Sequence, residues 1–393
     1  MRTDVAIIGA GPAGSVTAHQ LASAGVKVAL LDKATFPRDK SCGDGVTSKG
    51  LAVLDRIDLS NWAAQFPAMD TLRITSPDGR VLDSHLDSDM NICPGRTIPR
   101  RLLDARLVEL AVSAGARLME GVRVTDVGLD NGGVRVISGD LVVKSRLLIL
   151  ADGSHAPMTR RLGLASGVGE LVATRQYLSG DPGPSNRMEI HFQQEVLPGY
   201  CWLFPMGGGR VNVGTGTYFW RTRTKDLSLH TVMAQFINRF PGQEDRLLKT
   251  ETMGPLKSHP LRTQFGKTRT HADHILVVGD AAGLVNSFSG EGISPAIESA
   301  ELAALCARTA LSSGDLSKTG LAGYSRALES RYRADRRAAR MYRFVLDRPA
   351  LLNRIFRNMY RDPALAFLMA EIIIDMKSPR LALRPGVLAR LFL

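Results

Sequence analysis

The sequence predicts an α/β fold in three parts: a parallel sheet with flanking helices, an inserted antiparallel sheet and a helical C-terminal region. Apolar runs at residues 5–8, 146–150 and 274–278 each pass into a glycine-containing turn. Such short unbroken runs are typical of strands buried on both faces of a parallel sheet. Residues 170–220 instead alternate or run apolar between glycine turns, and prolines divide residues 321–393 into helices. The first part is therefore predicted to be Rossmann-type.

The N-terminal segment has the order of elements expected of a dinucleotide-binding unit. The strand at residues 5–8 enters a G-x-G-x-x-G pattern at residues 9–14, and a helix is predicted over residues 15–24. A second strand at residues 26–31 then ends in Asp32. The glycine pattern alone is a weak signal, because glycine-rich turns are common. Strand, glycines, helix, strand and acid in this order predict an adenine dinucleotide site.

Each residue of this pattern has a physical role in such a site. Gly9 permits the tight turn from strand to helix, Gly11 lets the backbone approach a pyrophosphate, and Gly14 lets helix and strand pack closely. The unpaired N–H groups at the start of the helix favour phosphate. Asp32 can accept hydrogen bonds from ribose hydroxyls.

Composition excludes several classes of protein. The apolar content of 44% and charged content of 22% are ordinary for a soluble globular chain. No apolar run approaches the ~18–20 residues of a membrane-spanning helix, and the first strand begins too early for a secretory signal to precede it. Four scattered cysteines without a C-x-x-C pair argue against zinc, iron–sulfur clusters and disulfides, so no metal is expected. This cysteine usage predicts a cytoplasmic protein.

The net charge of +12 is concentrated near the C-terminus. Residues 331–361 contain ten arginines and two aspartates, with no lysine or glutamate. A patch of this kind fits nucleic acid, an anionic membrane surface or a phosphorylated substrate. It also fits a solvated helix face.

A bent loop is predicted at residues 36–45, because a proline and two glycines punctuate it. Cys42 lies between Lys40 and the glycine turn. It is either a thiol of lowered pKa or a small packing residue, and the sequence leaves both alternatives open.

The remaining segments set the predicted domain boundaries. Residues 122–143 form a small meander with a turn at residues 130–133. The helix over residues 321–345 carries Arg333, Arg336, Arg337 and Arg340 on one face, and Ala338, Met341 and Val345 nearer the other. The predicted division is residues 1–70, 99–169 and 271–320 for the nucleotide-binding domain, 71–98 and 170–270 for the antiparallel-sheet substrate domain, and 321–393 for a basic helical C-terminal region.

Three motifs follow buried strands in chain order: the glycine pattern with Asp32, A-D-G-S at residues 151–154, and G-D-A-A-G at residues 279–283. Ligands of open α/β sheets gather at the carboxyl ends of strands. The third motif suits a flavin ribityl or phosphate contact, because Asp280 can accept hydroxyl protons and the alanines leave room beside a helix.

The chain resembles the FAD-dependent oxidoreductases of the p-hydroxybenzoate-hydroxylase-like class, and within it the geranylgeranyl reductase family. Residues 37–45, P-R-D-K-S-C-G-D-G, are similar to that family's P-R-x-K-x-C-G loop. Residues 200–205, Y-C-W-L-F-P, followed after eight residues by G-T-G at residues 214–216, resemble its Y-x-W-x-F-P…G-x-G signature. The resemblance covers residues 3–345. It implies a Rossmann-type FAD-binding domain with an inserted antiparallel-sheet substrate domain.

The resemblance also implies roles for individual residues. The FAD-binding set would comprise Gly9, Gly11, Ala13, Gly14, Asp32, Cys42, Gly43, Gly45, Arg100, Val124, Asp280, Gly292 and Ile293. An isoprenoid chain would contact Tyr200, Trp202, Phe204, Pro205, Gly214 and Gly216. Cys42 is also the predicted active-site residue, because it would lie beside the isoalloxazine ring. Asp32 stands where many relatives have glutamate.

The implied activity is reduction of carbon–carbon double bonds in an isoprenoid chain of a polyprenyl diphosphate, prenyl lipid or prenylated quinone. No second G-x-G-x-x-G follows a strand, so NADPH would dock transiently or another reductant would supply electrons. The basic C-terminal region would meet the diphosphate or a membrane surface, and nucleic acid is not an expected partner. The alternative is an FAD-dependent monooxygenase or epoxidase that acts on a hydrophobic terpenoid or aromatic product, since related folds perform both chemistries. A halogenase fits less well, because its W-x-W-x-I-P signature is altered here.

Overall fold

The computed structural model describes residues 1–86, 93–130, 132–224, 227–239 and 245–393. Parts of two predicted segments, 71–98 and 170–270, and Asn131 of the predicted turn lie outside these ranges. Within them the strands are β1 (Arg2–Ile8), β2 (Val28–Leu31), β3 (Gly45–Thr47), β4 (Thr71–Thr75), β5 (Val81–His85), β6 (Gly95–Thr97), β7 (Arg117–Met119), β8 (Asp126–Asp130), β9 (Gly133–Ser138), β10 (Leu141–Leu150), β11 (Leu171–Ser179), β12 (Arg187–His191), β13 (Tyr200–Gly207), β14 (Arg210–Tyr218), β15 (Glu251–Leu261), β16 (His271–Ala272) and β17 (Ile275–Val277).

Helices connect and cover these strands. In the described ranges they are α1 (Pro12–Ser23), α2 (Ser48–Arg56), α3 (Ser60–Ala63), α4 (Arg100–Ser113), α5 (Pro157–Arg161), α6 (Phe219–Thr224), α7 (Leu229–Asn238), α8 (Ile293–Ser313), α9 (Lys318–Leu346), α10 (Pro349–Arg361), α11 (Pro363–Ile373) and α12 (Pro385–Phe392). Short 3₁₀ turns occupy Gly279–Ala282 and Pro379–Leu383.

The first sheet is the predicted Rossmann-type core. Its strand order is β16-β17-β10-β1-β2-β7, and the β8–β9 hairpin extends it from β10. Strand β1 pairs in parallel with β10 on one side and β2 on the other, and β17 and β7 continue the parallel arrangement. Val5, Ala6 and Ile7 of β1 are fully buried. This burial on both faces explains why the strand is a continuous apolar run.

The second sheet has the order β15-β11-β14-β13-β12-β4-β5. Its pairs are antiparallel except β12 with β4, which are parallel. The parallel pairing of β12 with β4 departs from the antiparallel sheet that the sequence predicts. The chain leaves the sheet after β5, passes through the first sheet and returns at β11, so β4 and β12 need not form a hairpin.

The C-terminal helices cover the β4–β12 side of the second sheet. Tyr342 of α9 and Phe356 of α10 join one buried apolar cluster with Ile74 and Ile190 of the sheet. The arginine-rich segment is partly neutralised on the protein: Arg331 donates to the Glu298 carboxylate at 2.9 Å. Among the described residues, no helix combines the length and the apolarity that crossing a bilayer requires.

Candidate functional site

A cavity of about 720 Å³ lies where the carboxyl edge of the first sheet faces the second sheet. The loops after β1, β2, β10 and β17 contribute Gly11, Asp32, Asp152 and Asp280 to its lining. Parallel strands end at one edge, so three motifs that are far apart in sequence meet here. The opposite wall comes from β13 of the second sheet.

The glycine turn after β1 has the geometry that the sequence predicts. Gly9 has a φ of 104°, and a Cβ there would lie 2.2 Å from the Ala151 carbonyl oxygen. A Cβ at Gly14 would lie 1.8 Å from the Gly9 carbonyl oxygen. A Cβ at Gly11 would meet only Arg38 Nη2, at 3.7 Å. Gly9 and Gly14 are therefore required by packing, whereas Gly11 keeps its side of the cavity open.

Asp32 lies at the edge of the glycine cradle, which is the turn formed by residues 9–14. Its Oδ2 accepts a hydrogen bond from Ala10 N at 2.7 Å, and its Oδ1 accepts one from Ala34 N at 2.8 Å. The carboxylate lines the cavity while it fixes both flanking loops. A contact from this oxygen pair to a ribose remains a prediction.

The second and third motifs join each other through side chains. Ser154 Oγ donates to Asp280 Oδ2 at 2.6 Å. Asp152 instead accepts from the backbone N–H groups of Met158 and Thr159, at 2.7 and 3.1 Å, at the start of α5. Asp152 therefore organises the loop, and Asp280 is the carboxylate of this pair that stands beside the cradle.

The backbone groups and side chains that line the cavity are chemically suited to FAD. The backbone gap at Gly11 and the N-terminus of α1 suit a pyrophosphate, and Asp32 suits a ribose. Val124 lines the same end of the cavity, and Gly292 and Ile293 line it at the start of α8. The loop of residues 42–45 and the aromatic side chains of β13 line the other end of the cavity.

A buried cation lies along the middle of the cavity. Arg100 donates from Nε and Nη2 to the two oxygens of Asp104, at 2.7 and 2.8 Å. Arg38 Nη2 also contacts Asp104, at 3.1 Å. Although burial opposes the charge, Asp104 raises the pKa of Arg100. The residue therefore stays cationic inside the cavity, and its contact with the ribityl–phosphate region of FAD remains a prediction.

Cys42 lines the cavity, but it is not an activated thiol. Burial raises its pKa, against a smaller opposing effect from Arg100. The side chain packs against the apolar cluster that includes Val46 and Ile293. The alternative of a thiol with lowered pKa is therefore wrong, and packing is the alternative that the structure favours.

Asp44 lines the cavity but is absent from the residues that the sequence predicts for the site. It is fully buried between two glycines, with a φ of 63°. Its Oδ2 accepts from Tyr177 Oη at 2.6 Å and from Asn212 Nδ2 at 2.9 Å, while Oδ1 accepts from Arg100 N at 3.2 Å. Burial raises the pKa of Asp44 to about 6. The left-handed aspartate in G-D-G was the available signal, but its partners are far away in sequence.

The Asp44 network connects the cysteine loop to the aromatic wall. Asn212 Nδ2 also donates to the Cys42 carbonyl oxygen at 2.7 Å, and Trp202 Nε1 donates to Asn212 Oδ1 at 3.0 Å. The Asn212 amide therefore bonds both the loop that contains Cys42 and the Trp202 indole, and it fixes their relative positions.

Tyr200, Trp202 and Phe204 form the wall, since alternate residues of β13 point to one face of the sheet. Ring centroids lie 6.1 Å apart for Tyr200 and Trp202 and 6.2 Å apart for Trp202 and Phe204. Leu203 points the other way, into the cluster under α7.

Two residues predicted to contact the substrate do not line the cavity. Pro205 is buried on the opposite face of β13 from the wall, so it is absent from the cavity lining. Gly214 pairs with Trp202 across β13 and β14, and a Cβ there would lie 1.9 Å from the indole. Gly214 therefore makes space for the wall from behind, whereas Gly216 does line the cavity.

The sequence is similar to known proteins over most of its length. The family described as FAD binding domain matches residues 2–327. Menaquinone reductase of Mycobacterium tuberculosis is 35% identical over 314 residues, which is 77% of this chain and 75% of the relative. Digeranylgeranylglycerophospholipid reductase of Methanoculleus marisnigri is 29% identical over 399 residues, which is 97% of this chain and 96% of the relative.

Solved structures show the same fold. A geranylgeranyl bacteriochlorophyll reductase-like protein from Thermoplasma acidophilum superposes with a TM-score of 0.80 at 23% identity, over 90% of this chain and 91% of that chain. The flavin-dependent brominase Bmp2 superposes with a TM-score of 0.78 at 19% identity, over 97% of both chains. Reductases and halogenases share this architecture, so the fold alone does not separate their reactions.

Proposed function

This chain belongs to the FAD binding domain family, and on that premise we propose that it is an FAD-dependent reductase that saturates carbon–carbon double bonds of an isoprenoid chain. Two relatives are reductases named for menaquinone and for digeranylgeranylglycerophospholipid, two isoprenoid-bearing lipids. A prenylated quinone or a prenyl lipid is accordingly the proposed substrate class.

The wall formed by Tyr200, Trp202 and Phe204 carries this proposal. It lies in the same cavity as the glycine cradle, and Phe204 lies against the loop: a Cβ at Gly43 would approach its ring to 3.2 Å. An apolar aromatic surface suits a long hydrocarbon, whose burial contributes about 0.8 kcal/mol per CH₂. A small polar substrate would not use this surface.

When bound, FAD supplies hydride transfer to carbon. The chain contributes position and a dry environment: the wall orients the hydrocarbon and excludes water, and the Asp44 network keeps Gly43 and Gly45 against the wall. NADPH or another external reductant is the proposed electron donor. The proposed docking region is the part of the cavity lined by Lys40 and His259, where Lys40 Nζ lies 3.0 Å from His259 Nε2.

An anaerobic assay tests this function directly. The purified holoenzyme is reduced with dithionite and mixed with geranylgeranyl diphosphate or with a menaquinone, and products are analysed by mass spectrometry. We expect products heavier by two hydrogens per reduced double bond, formed without oxygen. Product that appears only with oxygen, and that carries an added oxygen atom, would establish a monooxygenase instead.

Phe204→Ala is expected to raise the KM for the isoprenoid substrate about 10- to 100-fold, because losing a buried aromatic contact costs about 1.5–3 kcal/mol of binding. Phe204 is only half-buried in the free protein, so its loss mainly affects binding. Steady-state kinetics with a menaquinone measure the effect. Leu305→Ala, which truncates a 63% exposed side chain of α8, is the matched control. An unchanged KM for Phe204→Ala would remove the wall from the substrate site.

We also propose that an exposed basic surface on α9 and α10 contacts an anionic membrane. Arg354, Arg357 and Arg361 lie on the solvent face of α10, and its buried face packs on the protein. The same two helices carry exposed aromatic side chains: Phe344 of α9 is 54% exposed and Tyr360 of α10 is 64% exposed. Basic residues near an anionic leaflet contribute about 1 kcal/mol each.

The double variant Arg354→Glu/Arg357→Glu is expected to lose most of its cosedimentation with phosphatidylcholine vesicles that contain phosphatidylglycerol, because each basic residue near an anionic surface contributes about 1 kcal/mol. Arg101→Glu/Arg117→Glu changes the net charge by the same amount at two exposed positions elsewhere. Equal losses in both variants would mean that only net charge matters, and the surface would then have no specific role.

A further inference from the structure

Saturation of a double bond requires a proton as well as a hydride. Glu291 lies in the loop between β17 and α8 and lines the main cavity together with Tyr200 and Phe288. The inference drawn from it rests on the proposed reductase function.

The structure fixes the Glu291 carboxyl in place. Its Oε1 accepts a hydrogen bond from Ser294 N at 2.7 Å, at the start of α8. Its backbone carbonyl accepts from Asn286 N at 2.8 Å, which closes the loop on itself. The backbone of Glu291 is therefore anchored within the loop, and one oxygen of its carboxyl group is held by the start of α8.

A second, smaller cavity lies behind Glu291. It has a volume of about 50 Å³, enough for an ordered water, and Glu291 lines both cavities. Glu298, Asp335 and Asp375 also line the smaller one, together with Arg331, which is 32% exposed. Glu291 thus stands between the proposed substrate space and a polar space that leads toward solvent.

We propose that Glu291 donates the proton that completes saturation of the double bond and is reprotonated through the second cavity. One alkene carbon receives the hydride with its two electrons. The other forms a C–H bond with the Glu291 proton, and the electron pair of the broken O–H bond stays on the carboxylate. A proton from solvent restores the acid, and the external reductant, a reduced nicotinamide or an equivalent two-electron donor, replaces the electrons.

The surroundings keep this acid protonated at neutral pH. Burial raises the pKa of Glu291 to about 8, against the opposing hydrogen bond from Ser294 N, and the negative charge of Asp375 adds to the rise. The titratable and charged groups that face Glu291 from the neighbouring elements are Tyr200, Asp375 with its partner Lys49, Glu298 with its partner Arg331, and Asp335. A donor must be protonated, so its contribution to the rate falls as pH rises through about 8.

The first test compares Glu291→Gln with Glu109→Gln in dithionite-reduced holoenzyme, with a menaquinone as substrate. Glutamine keeps an oxygen that can accept from Ser294 N but carries no acid proton. We expect product formation to slow by about 10²-fold or more, the usual contribution of a general acid, with FAD content unchanged. Glu109 is exposed on α4, and its substitution is expected to leave the rate unchanged.

The second test does not depend on turnover. The infrared spectrum of the wild-type protein at neutral pH is expected to contain a carboxylic C=O band that disappears near pH 8. The band is expected to be absent in Glu291→Gln and retained in Glu109→Gln. Glu291→Asp, which keeps an acid on a shorter arm, is expected to retain a band and an intermediate rate, and it serves as the readout if the glutamine variant does not fold.

The outcomes separate the donor role from the proposed function. Wild-type enzyme that reduces the menaquinone chain while Glu291→Gln does so within threefold (far less than the ~10²-fold or more expected for a general acid) overturns the donor role alone. Loss of the rate without a Glu291 band in the wild type also overturns it. Wild-type enzyme that saturates no double bond overturns the reductase function and the donor role together.

Discussion

Gly11→Ala is expected to preserve the fold and to weaken FAD binding about 10- to 100-fold, because a methyl group placed where a ligand packs closely costs about 1–3 kcal/mol. In the protein itself a Cβ at Gly11 meets only Arg38 Nη2, at 3.7 Å, so folding alone does not forbid it. Fluorescence titration of the deflavinated protein measures the affinity, and circular dichroism measures the fold.

Gly14→Ala gives the contrasting result. Its Cβ would lie 1.8 Å from the Gly9 carbonyl oxygen, so the variant is expected to lose both stability and flavin. Gly386→Ala is the control, since no atom lies within 4 Å of a Cβ there and alanine favours the α12 helix by about 0.5–1 kcal/mol. Normal FAD affinity in Gly11→Ala would show that the pyrophosphate does not approach this turn.

Asp44→Ala is expected to lower the free energy of unfolding by about 2–6 kcal/mol, because two buried side-chain donors lose their acceptor at about 1–3 kcal/mol each. These donors are the Tyr177 hydroxyl and the Asn212 amide, which bond Asp44 at 2.6 and 2.9 Å. Loss of the network also releases the cysteine loop from Trp202, so weaker flavin retention is expected as well. Urea unfolding and the flavin content of the purified protein measure the two effects.

Asp58→Ala separates the side-chain effect from backbone strain. Asp58 has a φ of 58°, close to the 63° of Asp44, but it is exposed. Both variants therefore place alanine in the left-handed region, and only one removes buried hydrogen bonds. Equal destabilisation in the two variants would mean that backbone conformation, rather than the Asp44 network, accounts for the loss.

The nucleotide-binding part of the fold could be predicted because its signals are local. A buried parallel strand has to be apolar throughout, and the turn after it requires glycine where backbone atoms come as close as those of Gly9 and Ala151. Asp32 follows in the same short segment. These constraints act within some thirty residues (about the length of one βαβ unit), so they are written into a single continuous stretch of sequence.

The roles of individual residues in the second sheet were harder to predict. The motif at residues 200–205 did not reveal which side chains face the cavity; strand alternation places Tyr200, Trp202 and Phe204 there and turns Pro205 away. Gly214 belongs behind the indole because it pairs with Trp202 across the sheet. The pairing of Gly214 with Trp202 is set by the whole β13–β14 hairpin, so neither residue predicts it alone.

The sequence by itself determined that this chain builds a cradle for an adenine dinucleotide, since the cradle is assembled from one strand, one turn and one helix. Only the tertiary structure decided the chemistry at the other end of the cavity. Burial raises the pKa values of Cys42, Asp44 and Glu291, and it does so because distant elements of the chain enclose these side chains. Burial and long-range hydrogen bonds arise only when separate parts of the chain pack together, so no local pattern encodes them.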